Sequence, residues 1–369
     1  MKIAATKHHF SPTSVDFILT HFREILEGKS FLSMYQHGEN FEKNFAGYVG
    51  TKYAASCNSG TSALEIILRA IDVKDCEVIV PTMTFAATAY TVVSAGGRPV
   101  FADCTPDMTV DPEDVRKRLT SKTKAVITVH IGGLVSPHTY GLLDLCKEKG
   151  LLLIEDAAHA HGSMLDGKKA GSFGIAAGFS FFSTKVMTTG EGGMITTSDP
   201  DIYNKALLLR NHAKVNNTNY HREFGYNWRM AEVEALMGLA QLSELESFIR
   251  RRNEIAKVYD EEFSKVPRVV PLKVPARVRH NFYKYIAFLP PEVDRDLFHK
   301  KMKAEYQVTM GGYVYEVPCH LQPVFKDYAT GSLPISEDLA KRHICPPIYY
   351  TMTDEEARYV VDSIGRCLA

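Results

Sequence analysis

The stretch GFSFFSTKVMTTGEGGMITT, Gly178–Thr197, places one lysine, Lys185, just after an aromatic strand. Threonines and a glycine-rich loop follow, and then a second apolar strand begins. Lysine is uncommon inside a sheet, because taking its ammonium out of water is costly. Burial and nearby cations lower the pKa of such a group and yield a neutral amine able to attack a carbonyl. Ser180 and Ser183 supply hydroxyls, and GEGG, Gly190–Gly193, lets the backbone pass close to a bound molecule. Taken alone, a surface lysine just past a strand end would look the same.

Outward from this stretch, short apolar runs alternate with helical patterns. EVIVPT, RPVFADC, KAVITVH and LLLIEDAA read as strands, each followed by a helix or a turn. Continuous apolar strands of this kind form a mostly parallel sheet covered on both faces. GFSFF and MITT extend the sheet, and their short connection implies that one of the two runs antiparallel. Asp111 before Pro112 is a helix start with a mechanism. Asn40 is a candidate cap for the helix in NFEKNFAGYVG, and Gly150 closes the helix in HTYGLLDLCKEKG. Met230–Phe263 reads as one unusually long helix that bridges two domains. The expected division is a large domain over 1–245, including an N-terminal helix, and a smaller C-terminal α/β domain over 246–369.

The chain has 369 residues, with 43 basic and 43 acidic side chains. That balance gives no reason to expect nucleic acid or an acidic membrane as partner. Seven cysteines, an odd number with no C-x-x-C, read as reduced thiols of a cytoplasmic protein. The first residues, MKIAATKHHFSP, lack the apolar core of a signal peptide, and no apolar run is long enough to span a bilayer.

Three further segments carry chemistry. In NSGTSALEIILRA, Asn58–Ala70, a small polar turn opens an amphipathic helix. Its free N–H groups, with Gly60 and Thr61, make an anion site, although an ordinary N-cap has the same sequence. In LLLIEDAAHAHG, Asp156 falls at the carboxyl end of a buried strand, where open α/β sheets bind ligands, and Glu155 faces the other side. A metal held by Asp156, His159 and His161 is an alternative, but no further cluster with ligand spacing accompanies them. In PTMTFAATAY, Phe85 stands at the start of a helix, where it could stack on a flat ring. A phosphate cradle, a buried carboxylate, an amine and an aromatic wall are together what pyridoxal 5′-phosphate (PLP) needs.

The ordered blocks NSGTSALEIILRA, PTMTFAAT, EDAAHAHG, SFFSTKVMTTGEGGMITT, FGYNWRMAEVEALMGLAQL and HLQPVF resemble the DegT/DnrJ/StrS-type sugar aminotransferases. The resemblance runs from about Phe31 to the C-terminal helix. It implies an aspartate aminotransferase-like α/β fold (fold type I), with PLP as cofactor. It implies that Lys185 is the Schiff-base lysine and Asp156 the carboxylate on the pyridine nitrogen. Gly60, Thr61 and Ser180 match the phosphate ligands, and Phe85 the stacking aromatic. Asn227 matches an asparagine that reaches the phosphate of the neighbouring subunit, so the active sites of a homodimer would be shared. His159 stands where many members have glutamine, and its protonation would add pH dependence. Tyr313 and His320 lie in the segment that resembles the substrate-facing part; His320 could face the sugar or only cap a turn. The implied activity moves an amino group from glutamate or glutamine to a nucleotide-linked keto sugar. A subgroup of sugar dehydratases has histidine in place of the lysine, and this chain keeps Lys185. The competing expectations are another PLP reaction on the same scaffold, a PLP-binding regulator without catalysis, and a carbohydrate-binding protein without PLP.

Overall fold

The computed structural model describes residues 1–215, 218–329 and 331–369. The strands of its main sheet are β1 (Tyr53–Cys57), β2 (Glu77–Pro81), β3 (Arg98–Ala102), β4 (Thr123–Val129), β5 (Leu152–Asp156), β6 (Ala176–Ser180) and β7 (Gly193–Thr197). Their spatial order is β1-β7-β6-β5-β4-β2-β3. β7 is antiparallel to both neighbours, and every other pairing is parallel. The short GEGG connection thus has the effect expected of it.

Alternation along each strand sorts side chains to two covered faces. Val78, Val80 and Ile154 pack with the helices α3 (Gly60–Ala70), α4 (Ala86–Ser94) and α7 (Pro200–Leu209). Ile79 and Leu153, one residue out of phase, pack with α6 (Thr139–Lys149) on the opposite face. Farther along that second face, Ala177, Phe179 and Met194 meet Phe41 and Phe45 of α2 (Gln36–Val49) and the first half of α8 (Glu232–Phe263). Asn40 lies inside α2 and does not cap it; Tyr35 holds the cap position, and the entering backbone is satisfied by Glu232, which accepts from the N–H groups of Tyr35 and His37 at 2.8 Å. The Asp111 cap forms, with its carboxylate accepting from Glu113 N–H at 2.9 Å.

α8 runs unbroken for 32 residues. Its second half, from Ile255 to Phe263, is buried in a separate core with α9 (Arg295–Glu305) and α11 (Asp354–Leu368). Ile3, from the far end of the chain, is buried in that same core and bridges to Val308. A small antiparallel sheet of β8 (Val270–Pro271), β9 (Ala287–Phe288) and β10 (His343–Ile344) completes this region. Only two residues of YKYIAFL, Ala287 and Phe288, pair as a strand; Lys284 N–H donates instead to the Gly132 carbonyl at 2.9 Å.

The pleat at the end of β5 separates two neighbouring carboxylates. Glu155 is fully buried and accepts from Gly171 N–H and Phe173 N–H at 2.7 Å and from Gly174 N–H at 2.8 Å. His130 Nε2 lies 2.9 Å from Glu155 Oε2, and its Nδ1 accepts from Ser136 N–H at 3.3 Å, so the Nε2 proton is the one facing Glu155. Burial alone would push the Glu155 carboxyl up, but His130 and the backbone donors outweigh it and hold the group below its ordinary value. Glu155 thereby pins the loop 171–174 that feeds β6. Glu155→Gln turns an amide N–H2 toward backbone donors. It is expected to cost about 2–4 kcal/mol in chemical denaturation, and an unchanged midpoint would remove this role.

Candidate active site

The carboxyl ends of β5 and β6, the N-terminus of α3 and the first turn of α4 surround a cavity of about 470 Å³. Ser59 caps α3 by accepting from Ser62 N–H at 3.0 Å, which leaves the first-turn N–H groups of Gly60 and Thr61 at the cavity. The approach here is close. A Cβ on Gly60 would stand 2.7 Å from Cβ of Ser180, and one on Gly193 would stand 2.2 Å from the carbonyl oxygen of Ser59. Three backbone segments therefore meet where only glycine fits, and Gly60, Thr61 and Ser180 line one wall as expected.

Asp156 is buried on the α4 face of the sheet. Thr88 Oγ1 donates to its Oδ2 at 2.7 Å, and Ala158 N–H donates to Oδ1 at 3.1 Å. Burial pushes the carboxyl up, opposed by those two donors and by the charge of Lys185. Lys185 follows β6 in a tight turn closed by its own N–H to Phe182 O at 2.9 Å. Its Nζ lies 4.9 Å from the centre of the Tyr283 ring. Burial drives the amine pKa down, while Tyr283 and Asp156 pull it up. Phe85 is the N-cap residue of α4 and lines the cavity with 61% of its surface exposed, a flat apolar wall.

His159 is buried between aromatic rings, 4.5 Å from Tyr283 and 6.1 Å from Tyr315 by centroids. Gly132 N–H donates to its Nδ1 at 3.3 Å, which leaves Nε2–H to face outward. Burial, reinforced by the charges of Lys185 and Lys284, holds its pKa well below the ordinary value. The expectation that its protonation adds pH dependence is thereby corrected. A depressed histidine is neutral at every pH above its own low pKa, so it does not titrate near neutrality.

Tyr313 lines the cavity, with its hydroxyl donating to Asp296 Oδ1 at 2.7 Å and the Arg295 guanidinium 3.9 Å from its ring centre. His320 does not line the cavity, which fits the turn-holding reading of it and not the sugar-facing one. It is buried, with Nδ1 2.7 Å from Thr82 Oγ1 and Nε2 3.2 Å from Glu337 Oε1, so both ring nitrogens are engaged in tying its turn to the ends of β2 and α10 (Pro334–Arg342). Asn227 is exposed and lies outside the cavity of its own chain. Thr88, Tyr283 and Tyr315 are site residues that the sequence reading did not name. Thr88 had a signal, since it lies three residues after Phe85 in the same helix start. The tyrosines come from distant segments with no local pattern. Among the described residues no group of three His, Cys, Asp or Glu side chains is gathered as metal ligands are.

A mixed sheet with one inserted antiparallel strand, carrying a lysine opposite a buried carboxylate at its carboxyl edge, defines an aspartate aminotransferase-like (fold type I) enzyme. The chain belongs to the DegT/DnrJ/EryC1/StrS aminotransferase family, whose model matches residues 12–365. It is 34% identical to the GDP-perosamine synthase of Caulobacter vibrioides, over 89% of each chain. It is also 34% identical to the UDP-N-acetyl-3-dehydro-alpha-D-glucosamine 3-aminotransferase of Acidithiobacillus ferrooxidans, over 98% of this chain and 96% of that one. Among solved structures it is similar to Helicobacter pylori PseC, an aminotransferase involved in the biosynthesis of pseudoaminic acid, with 26% identity and a TM-score of 0.93 over 100% of this chain and 99% of that one. His159→Gln is expected to leave the shape of the rate–pH profile unchanged between about pH 6 and 8; the loss of an ionisation from that profile would show that His159 titrates there.

Proposed function

We propose that the chain is a PLP-dependent transaminase that passes an amino group from glutamate or glutamine to a keto sugar on a nucleotide carrier. The observation that carries this reading is the gathering, in one cavity, of Lys185, Asp156, Phe85 and the N-terminus of α3. These residues fit PLP: an anion cradle that a Cβ would fill, a buried carboxylate for the ring nitrogen, an uncovered aromatic face and an amine with lowered basicity. When bound, PLP supplies an electron sink for the carbon that exchanges the amino group.

The chain's own residues do the rest. Asp156, fixed by Thr88 and Ala158, would keep the ring nitrogen protonated. Lys185 would hold the cofactor by its aldehyde and, once released, carry a proton from one carbon to the other at Nζ. That shuttle needs a neutral amine, which burial favours. Nε2–H of His159 would donate toward the cofactor's phenolic oxygen, and Tyr283 and Tyr315 would exclude water from the proton path. Retention of Lys185 favours amino transfer over the dehydration associated with histidine at that place. The relatives' names carry both GDP and UDP, so the acceptor is proposed as a nucleotide-linked keto sugar without finer division.

The working form proposed is a homodimer, with Asn227 reaching the phosphate site of its partner. Its exposed position suits this, as do uncovered apolar side chains at Phe31, Leu32, Phe182 and Phe224. We place the division between the two domains near Glu246, with the first residues of the chain lent to the smaller one.

Borohydride reduction of the purified protein followed by peptide mass spectrometry is expected to show at Lys185 the cofactor's mass less one water plus two hydrogens. Incubation with glutamate and a nucleotide-linked keto sugar is expected to release 2-oxoglutarate and an amino sugar. Lys185→Ala is expected to abolish turnover, and Asp156→Ala to lose at least about a hundredfold in rate together with much of its cofactor. Full turnover by Lys185→Ala, or the absence of any adduct, would overturn the reading.

A further inference from the structure

A second cavity, of about 250 Å³, shares Thr184 and Tyr283 with the first and nothing else of its lining. Arg252, from the middle of α8, and Lys284, from the segment before β9, both line it, and none of its lining side chains is acidic. Arg252 is only 4% exposed. Its Nη1 donates to the carbonyls of Phe282 at 2.9 Å and Ile348 at 3.0 Å, so one guanidinium ties α8 to two segments of the smaller region. Its Nε–H is buried and, among the described residues, meets no acceptor. Burial pushes the Arg252 pKa down to about 10, with the Tyr283 hydroxyl opposing. Lys284 Nζ carries three protons and gives one to the Gly311 carbonyl. Among the described residues neither cation has a carboxylate partner. Asp260, which borders Lys284 in a neighbouring pocket, accepts from the Tyr285 hydroxyl at 2.6 Å and forms no ion pair with it.

Two sheltered cations without a counter-charge are unfavourable, and an anion taken up between them recovers much of that cost. The cavity limits what the anion is. At about 30 Å³ per water it has the volume of about eight waters, enough for a small ion and a few of them but not for a nucleotide. Much of the remaining wall, at Ala5, Met310, Pro346 and Ile348, is apolar and offers no side-chain donor. A doubly charged oxyanion would give up more hydration here than the few free protons of Arg252 and Lys284 replace. A monovalent halide loses less and accepts from any direction. We propose that the Arg252–Lys284 cavity is a halide site, with chloride as its ligand, which holds α8 to the segments at Phe282 and Ile348. The site is independent of the cofactor chemistry proposed above.

The test uses the cofactor-loaded enzyme with bromide and chloride as probes. Crystals soaked in sodium bromide are expected to show an anomalous-scattering peak between Arg252 and Lys284. Chloride, compared with gluconate at equal ionic strength, is expected to raise the unfolding temperature by about 2 °C. In Lys284→Met the peak is expected to vanish, and the chloride concentration giving half the rise to increase at least about tenfold. Lys284→Arg, which keeps the charge, is expected to keep both. Because each protein is compared with itself in two salts, a general loss of stability in Lys284→Met does not imitate the result. No peak in the wild type, or a peak and a chloride response that survive Lys284→Met, overturns the site. A peak without any chloride response means an adventitious ion only, and also overturns it. Displacement of the bromide by acetate at equal concentration would make the cavity a carboxylate site and overturn the assignment to a halide.

Discussion

Adjacent residues on a strand point to opposite faces, and at the end of β5 this constraint falls on two carboxylates. Glu155 turns inward and is saturated by backbone donors and His130, which fixes the loop entering β6. Asp156 turns toward α4 and the cavity. Because β6 delivers Lys185, the anchor on one face sets the position of the amine that answers the carboxylate on the other. A one-residue slip of β5 would exchange the two roles and leave a carboxylate without partners in the core.

Around this axis the electrostatics are consistent. Burial lowers the basicity of both Lys185 and His159. The tyrosines supply apolar faces with polar tips, and the hydroxyls of Thr184 and Tyr283 meet between two cavities.

Much of this was legible in the chain. The main strands are continuous apolar runs, and both caps with a proline or glycine mechanism appear where those residues dictate. Gly60, Thr61, Phe85, Asp156, Ser180 and Lys185 sit on strand ends or helix starts, so placing the element places the residue. His320 was open between facing the sugar and holding its turn, because chain proximity to Tyr313 says nothing about which way a buried ring turns, and Thr82 and Glu337 decide it. Asn40 yielded the cap to Tyr35 because Glu232, far away in sequence, supplies the acceptors. Tyr283 reaches the site from beyond α8, a contact that no local period encodes.

The insertion of β7 between β1 and β6 bears on the order of assembly. β1 is among the first segments made, yet in the main sheet it pairs only with β7. A chain emerging from the ribosome must keep Tyr53–Cys57 waiting through about 140 residues before its hydrogen-bonding partner exists, a long-range closure that is slow to form. Within the main sheet the close approach of Gly60 and Gly193 thus waits on β7, the last of its strands to be made.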